Sequence, residues 1–152
     1  MSEYIQASSP QNVAFGQNLL LIDSIPCSRG YVIHRNGAGI LTLRGIVSGC
    51  NQFARYQVAF NGNIAVPTGG TVAAIATALA IDGEPLISSR AIVTPAAVEQ
   101  YFNVTNTAII TVPSGCCYTI AVENVDAGVG DVIADQQTIS VADGNLTVTR
   151  IA

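Results

Sequence analysis

The fold class of this chain is decided by one segment of eight residues, Phe53-Ala54-Arg55-Tyr56-Gln57-Val58-Ala59-Phe60. Successive side chains of an extended chain point to opposite faces. In an extended conformation Tyr56, Val58 and Phe60 therefore share one face, whereas Arg55 and Gln57 lie on the other. This alternation with a period of two is typical of a half-buried β-strand and does not fit a helix.

The rest of the chain repeats this pattern. Fourteen glycines and six prolines separate short segments that are rich in Val, Ile, Thr, Tyr and Phe, as strands joined by turns require. The number of segments predicts an all-β domain with a two-sheet sandwich. Besides the opening segment, strands are predicted at residues 14–22, 31–35, 40–46, 71–81, 91–94, 101–104, 108–112, 117–123 and 146–151.

Turn residues mark where these strands should end. Hairpin-like connections are predicted at the dipeptides Asn36-Gly37, Asn61-Gly62, Asp82-Gly83 and Asp143-Gly144, because Asn, Asp and Gly tolerate positive φ. Residues 71–80 are rich in alanine, which favours a helix, but their larger side chains share a face only in a strand. We interpret this segment as a strand whose alanine face allows close packing. Residues 95–100 could form one helical turn, and residues 125–138 have the composition of a loop.

Charge is unusually sparse. Only 11% of the 152 residues are charged, all six basic residues are arginine, and the net charge is −4, whereas soluble domains average about 25% charged residues. This balance excludes a disordered chain and gives no phosphate-binding surface for nucleic acid. No apolar run approaches the roughly 20 residues of a membrane-spanning helix. Either Asn, Gln, Ser and Thr form the surface, or identical copies or a partner bury part of it.

The chain is expected to form one domain, residues 13–152, preceded by an extended arm, residues 1–12. The arm is polar apart from a few residues and could pack on a neighbouring molecule. The first residues show neither a basic segment nor an apolar stretch before a cleavage site. We therefore expect synthesis in a cytoplasm without export.

The order of motifs resembles the compact jelly rolls of the tumour necrosis factor and complement globular-head superfamily. A strand ending in glycine leads into a Tyr-x-Val strand, a central strand ends in an Asp-Gly turn, and a late strand follows a glycine turn. These motifs are residues 39–45 (GILTLRG), 56–65 (YQVAFNGNIA), 79–85 (LAIDGEP), 109–115 (IITVPSG) and 118–124 (YTIAVEN). Residues 61–70, 91–96 and 112–117 are also similar to small prophage proteins of gut Firmicutes and to C-terminal domains of bacterial collagen-like surface proteins, although this chain has no Gly-X-Y repeat.

The resemblance implies a TNF-like jelly roll of two antiparallel sheets and a homotrimer whose subunits meet through sheet edges and aromatic residues. The aromatic residues we assign to this trimer or partner interface are Tyr56, Phe60, Tyr101, Phe102 and Tyr118. The expected function is that of a non-enzymatic phage capsid decoration protein, made in the cytoplasm of the bacterial host and located in the virion. It would bind capsid protein through its N-terminal arm, with Tyr4, Ile5 and Pro10 as the predicted capsid contacts. The alternative is a trimeric receptor-binding or glycan-binding head of a phage tail or bacterial surface structure.

Chemistry-bearing residues do not form a recognisable catalytic set, and no catalytic residue, cofactor or metal ligand is assigned. Asp82 and Glu84 are the closest carboxylate pair, but they fall in a predicted turn, where acids commonly serve as solvated turn formers. The acidic loop with Asp126, Asp131 and Asp135 could bind calcium, although its spacing matches no EF-hand loop. A disulfide between Cys27 and Cys50 is a further alternative under oxidising conditions.

Overall fold

Twelve strands form two antiparallel sheets in the computed structural model, which describes residues 2–7, 10–25, 30–128 and 137–152. Sheet A has the order β10-β6-β12-β1-β3, with β2 also paired to β12, and sheet B has the order β4-β5-β11-β7-β8, with β9 also paired to β7. The strands are β1 (Ser2–Ala7), β2 (Gln11–Val13), β3 (Asp23–Ile25), β4 (Val32–His34), β5 (Leu41–Arg44), β6 (Phe53–Ala65), β7 (Ile75–Ile81), β8 (Glu84–Pro85), β9 (Ala91–Val93), β10 (Phe102–Pro113), β11 (Cys117–Val125) and β12 (Ile139–Arg150).

The core lies between the two sheets and follows the alternation seen in the sequence. On β6, every second side chain from Ala54 to Phe60 is fully buried, and the residues between them face outward. Tyr56 lies opposite Ile110 of β10, which is also buried, so the inward rows continue from strand to strand. The predicted all-β sandwich and its two antiparallel sheets are confirmed.

Two of the four predicted hairpins are wrong, because their dipeptides lie inside long strands. Gly62 lies within β6, where a Cβ atom would be 2.7 Å from Cζ of Phe60. Gly144 lies within β12 against the other side of the same ring, with a Cβ position 3.0 Å from Cε2. Asp143 has φ 53° at a register shift between Ala142 and Asn145, a β-bulge. The two glycines thus make room for the Phe60 ring.

The other two turns are confirmed. Gly37 has φ +85°, and Asp82 and Gly83 have φ 51° and 85° between β7 and β8. Asp82 also fixes its turn to sheet B, since its Oδ1 accepts hydrogen bonds from the backbone N–H and the hydroxyl of Thr119 at 2.8 and 3.1 Å. Residues 95–100 form bends and a turn with Glu99 at φ 57°, not the helical turn that the sequence suggested.

Strand prediction failed at two further places. Residues 14–22 are not a regular strand; they follow the edge of β11 through isolated contacts, such as the Leu19 N–H donating to the Val122 carbonyl at 2.8 Å. The segments predicted separately at 101–104 and 108–112 form the single strand β10. The polar residues between them suggested a break, but the middle one, Asn106, is buried.

The predicted N-terminal arm is instead part of sheet A. β1 pairs with β12 on one side and with β3 on the other. Ile5 is 0% exposed and belongs to the main core cluster. A residue in that position cannot reach a neighbouring capsid subunit, so the described residues 2–7 are a structural strand of the sandwich.

Strand β7 confirms the interpretation of the alanine-rich segment. Its residues Ile75 to Ala80 are all buried, which requires cover on both faces. Ala76 and Ala78 form a second small cluster with Val125 and Ala127. The small side chains allow this close approach, as the sequence suggested.

A buried polar network joins the two sheets through Asn106 of β10, which is 0% exposed. Its amide Nδ2 donates to the carbonyl oxygens of Thr77 and Ser89 at 2.8 and 2.7 Å, and its Oδ1 accepts from the Thr77 hydroxyl at 2.9 Å. The Ser89 hydroxyl in turn donates to the Leu86 carbonyl and accepts from the Leu79 N–H. The three hydrogen bonds of Asn106 link residues that are 17 to 29 positions apart in the sequence.

Candidate functional site

The outer face of sheet A is almost free of charge. Its three long strands, β6, β10 and β12, contribute only Arg55 near one end and Asp143 at the bulge near the other, since Arg150 turns inward onto Tyr31. Ile109 lies between them and is 64% exposed. The paired rows of this face are Ile109, Gln57 and Thr149; Thr107, Ala59, Thr147 and Tyr4; and Thr105, Asn61, Asn145 and Gln6.

The edge of sheet A beside this face, strand β10, lacks the features that usually prevent an edge strand from associating with another chain. β10 has twelve residues and no charged side chain, and its only proline lies at its last position, Pro113. Within the described residues β10 pairs with β6 alone. Natural edge strands are usually shielded from association by charges, internal prolines, bulges or short length. A long, uncharged edge beside an uncharged face is a surface suited to contact with another chain.

Two aromatic residues assigned to the interface from sequence lie in the core instead. Tyr56 and Phe60 are both 0% exposed. The Tyr56 hydroxyl donates to the carbonyl oxygen of Arg44 at 2.5 Å, and burial raises the pKa of Tyr56. Both side chains are needed to fill the space between the sheets, so neither can contact another subunit.

The other three aromatic residues lie at the surface but not together. Tyr101, just before β10, and Phe102, its first residue, are 40% and 38% exposed. The Tyr101 hydroxyl lies 2.8 Å from the Ser140 hydroxyl and donates to Glu99 at 3.3 Å. Tyr118 lies half-buried on sheet B. Their assignment to an interface stays a prediction, with Tyr118 on a different sheet from the other two.

The sequence prediction assigned the interface to aromatic side chains and omitted three residues of the uncharged face, Ile109, Ala59 and Thr107. The signal was present, since each occupies the outward position of a strand that has no charge there. Of the residues assigned to a capsid-contact arm, Tyr4 is 40% exposed on this face and Pro10 is exposed.

A shallow groove opens on the same face at the bulge. It has a volume of about 200 Å³ and is lined by Tyr4, Gln6, Asp143, Gly144 and Asn145. An exposed aromatic ring beside amide and carboxylate groups offers both a stacking surface and hydrogen-bonding partners.

The residues considered for metal and redox chemistry give no site within the described ranges. No group of three His, Cys, Asp or Glu side chains there could hold a metal ion. Cys50, Cys116 and Cys117 are free and exposed. Cys27, Asp131 and Asp135 lie outside the described residues, so the disulfide and calcium alternatives stay predictions.

No helix in the described part of the chain is long and apolar enough to cross a membrane. No family model matches the sequence, and no curated protein matches it either. Among solved structures, the globular domain of zebrafish complement 1qA protein superposes with a TM-score of 0.56 at 12% identity, covering 99% of this chain and 97% of that one. The C-terminal domain of EclA, described as a sugar-binding protein, gives 0.41 at 14% identity, covering 92% and 78%.

The superposition on the complement domain extends over nearly the full length of both chains. Because the sequence identity is low, this likeness shows the fold alone. This likeness agrees with the two antiparallel sheets of this chain. The chain has the all-β, TNF-like jelly-roll fold of the complement globular heads.

Proposed function

We propose that this chain is a non-enzymatic module that assembles as a homotrimer through the outer face of sheet A and the edge of β10. The observation that carries the proposal is the absence of charge on this face between Arg55 and Asp143, together with the 64% exposure of Ile109 on the edge strand β10. A solvated sheet face normally carries charged side chains, and large exposed apolar side chains in an uncharged surface favour association. The sparse charge of the whole chain supports the same reading.

The geometry also favours a ring over a twofold dimer. The β10 edge and the outer face of sheet A are different surfaces of one molecule, so contact between them is head-to-tail. Repeated head-to-tail contacts close into a ring when the rotation between subunits permits it. The resemblance to the tumour necrosis factor and complement heads supports a ring of three.

The test is the solution mass by size exclusion with light scattering, over a dilution series with reductant present, since three described cysteines are free and exposed. The expected mass is three times 15.7 kDa. Ile109→Glu places a charge on the edge strand of this face and should give monomers. The matched control is Ile33→Glu, on sheet B, where Ile33 is 49% exposed; it should leave the trimer intact. A wild-type monomer at all concentrations would refute the proposal.

For the biological setting, we propose a phage capsid decoration protein, present in the virion and attached to capsid protein. The support is the similarity of residues 61–70, 91–96 and 112–117 to small prophage proteins, together with an assembly that works by adhesion. The test is mass spectrometry of phage particles purified after induction of a strain that carries the gene. Particles that lack the protein would exclude this setting.

The second candidate is a trimeric receptor-binding or glycan-binding head, favoured by the groove at Tyr4, Gln6 and Asn145. Rings of sugars stack on exposed aromatic side chains, and their hydroxyls suit amides and carboxylates. A glycan array would be probed with the wild type and with Tyr4→Ala. Signal lost in Tyr4→Ala, with the mass unchanged, would favour the head. No signal from the wild type would remove it.

A further inference from the structure

A second concave surface lies on the outer side of sheet B, remote from the proposed assembly face. It is a cleft of about 300 Å³ between the end of β11, the chain after β2 and the segment after β8. Its apolar walls include Phe15, which is 37% exposed, and Ile87, which is 56% exposed. Two such side chains facing a cleft offer apolar contacts to the alkyl part of a ligand.

The charged side chains that line the cleft are Arg90, Glu123 and Asp126. Two of them, Arg90 and Asp126, have hydrogen-bond partners in the local backbone. The Arg90 guanidinium donates from Nη1 to the backbone carbonyl of Asp126 at 3.1 Å. The Asp126 carboxylate accepts from the Gly128 N–H at 2.8 Å. Both groups are therefore held by the local backbone.

Glu123 differs from these two residues, because its carboxylate has neither a hydrogen-bond donor nor an ion-pair partner in the described ranges. Burial raises its pKa, and the negative charge of Glu84 raises it further. An ionised carboxylate that is partly desolvated beside a second carboxylate is stabilised by a positive charge brought between or next to them.

We infer that this cleft binds a protonated alkylamine, the side chain of a lysine on a partner protein, with the ammonium at Glu123 and the alkyl stem between Phe15 and Ile87. The compact ammonium matches a single free carboxylate, and a lysine stem gains by covering apolar walls. A metal ion lacks the ligands, because no set of three candidate side chains occurs in the described part of the chain. The chain contains no lysine, so its own copies cannot fill the cleft in this way.

The test is a titration of the ¹⁵N-labelled protein with N-acetyl-lysine methylamide, followed by amide chemical shifts. Shifts are expected at Gly16 and at residues 123–126. The uncharged analogue, N-acetyl-norleucine methylamide, should bind at least about tenfold more weakly, because it loses a charge-assisted contact. Equal binding of the two probes would overturn the inference, since the cleft would then be an apolar groove only.

Two variants make the test specific. Glu123→Gln should reduce binding of the lysine probe at least about tenfold, whereas Asp23→Asn, which changes the net charge equally on sheet A, should not. Phe15→Ala should weaken binding through lost stem contacts and lies in a loop, so the fold is retained. Unchanged binding in Glu123→Gln, in a variant whose amide spectrum is otherwise that of the wild type, would refute the assignment.

Discussion

Replacing Asn106 by alanine tests how the two sheets are held together. The substitution removes three hydrogen bonds, to the carbonyls of Thr77 and Ser89 and from the Thr77 hydroxyl. Each buried hydrogen bond contributes about 1 kcal/mol net, and a buried group left without a partner costs about 1–3 kcal/mol. Since Asn106 is 0% exposed, water cannot replace the lost amide without a cavity that admits it.

The expected loss in the free energy of unfolding is about 4–6 kcal/mol, counted as roughly three hydrogen bonds plus the orphaned Ser89 carbonyl. For a chain of this size, that corresponds to a Tm lower by about 8–24 °C. The assay is urea unfolding followed by circular dichroism at one fixed protein concentration, because assembly adds to apparent stability.

The matched control is Asn103→Ala on the same strand. Asn103 is exposed, and its amide makes one longer hydrogen bond, to Asn63 at 3.3 Å. Its loss should cost less than about 0.5 kcal/mol. Thr77→Val should cost about 1 kcal/mol and combine non-additively with Asn106→Ala, because both remove the same bond. A cost below about 1 kcal/mol for Asn106→Ala would refute the idea that this network clamps the sheets.

Three further predictions concern single side chains. The pKa of Glu123 in the folded protein is raised above its ordinary 4.5, so the native state loses stability as pH rises through that raised value. Glu123→Gln should abolish this loss. The measurement is the difference between the urea unfolding midpoints at acidic and at neutral pH, in the wild type and in the variant. Tyr56→Phe deletes the hydroxyl that donates to a backbone carbonyl and should lower the free energy of unfolding by about 1 kcal/mol. Tyr118→Phe should leave the free energy of unfolding unchanged in the same urea assay. Gly45→Ala would force a Cβ into the carbonyl oxygen of Pro113 and should cost about 3 kcal/mol or more, seen as loss of soluble protein; normal yield and Tm would contradict this.

The sequence predicted the sheet-forming segments well where alternation was strict, as in β6, and poorly where polar residues lie inside the core. Asn106 illustrates the limit. Its partners, Thr77 and Ser89, are 29 and 17 residues away, so no local pattern reveals that a buried amide is satisfied. Residues 101–104 and 108–112 were therefore predicted as two strands, although they belong to the single strand β10.

The dipeptides with glycine show a second limit. Asn61-Gly62 and Asp143-Gly144 have the composition of hairpin turns, yet both lie within strands because the Phe60 ring needs space on either side. The need arises only after β6 and β12 pair. The assignment of Tyr56 to the interface conflicted with the sequence pattern itself. Tyr56 shares the apolar face of its strand with Val58, and this alternation already predicted that its side chain is buried.

The positions of the arginines explain why the outer face of sheet A is nearly without charge. Four of the six arginines have intramolecular contacts at the ends or in the loops of the sandwich. Arg44 donates to the Gly30 carbonyl, Arg90 donates to the Asp126 carbonyl, Arg150 stacks on Tyr31 at 4.3 Å, and Arg55 lies 5.0 Å from the Phe53 ring.

Because these four arginines lie at the ends or in the loops, the outer face of sheet A between Arg55 and Asp143 carries threonine, asparagine, glutamine, alanine and Ile109. A chain that needed this face for solubility would gain from even one lysine there, since β-strand faces accept charged residues readily when exposed. The sequence contains no lysine. The composition therefore supports the proposal that this face is an assembly surface, and adding charge at Ile109 is expected to change the oligomeric state more than the stability of the subunit.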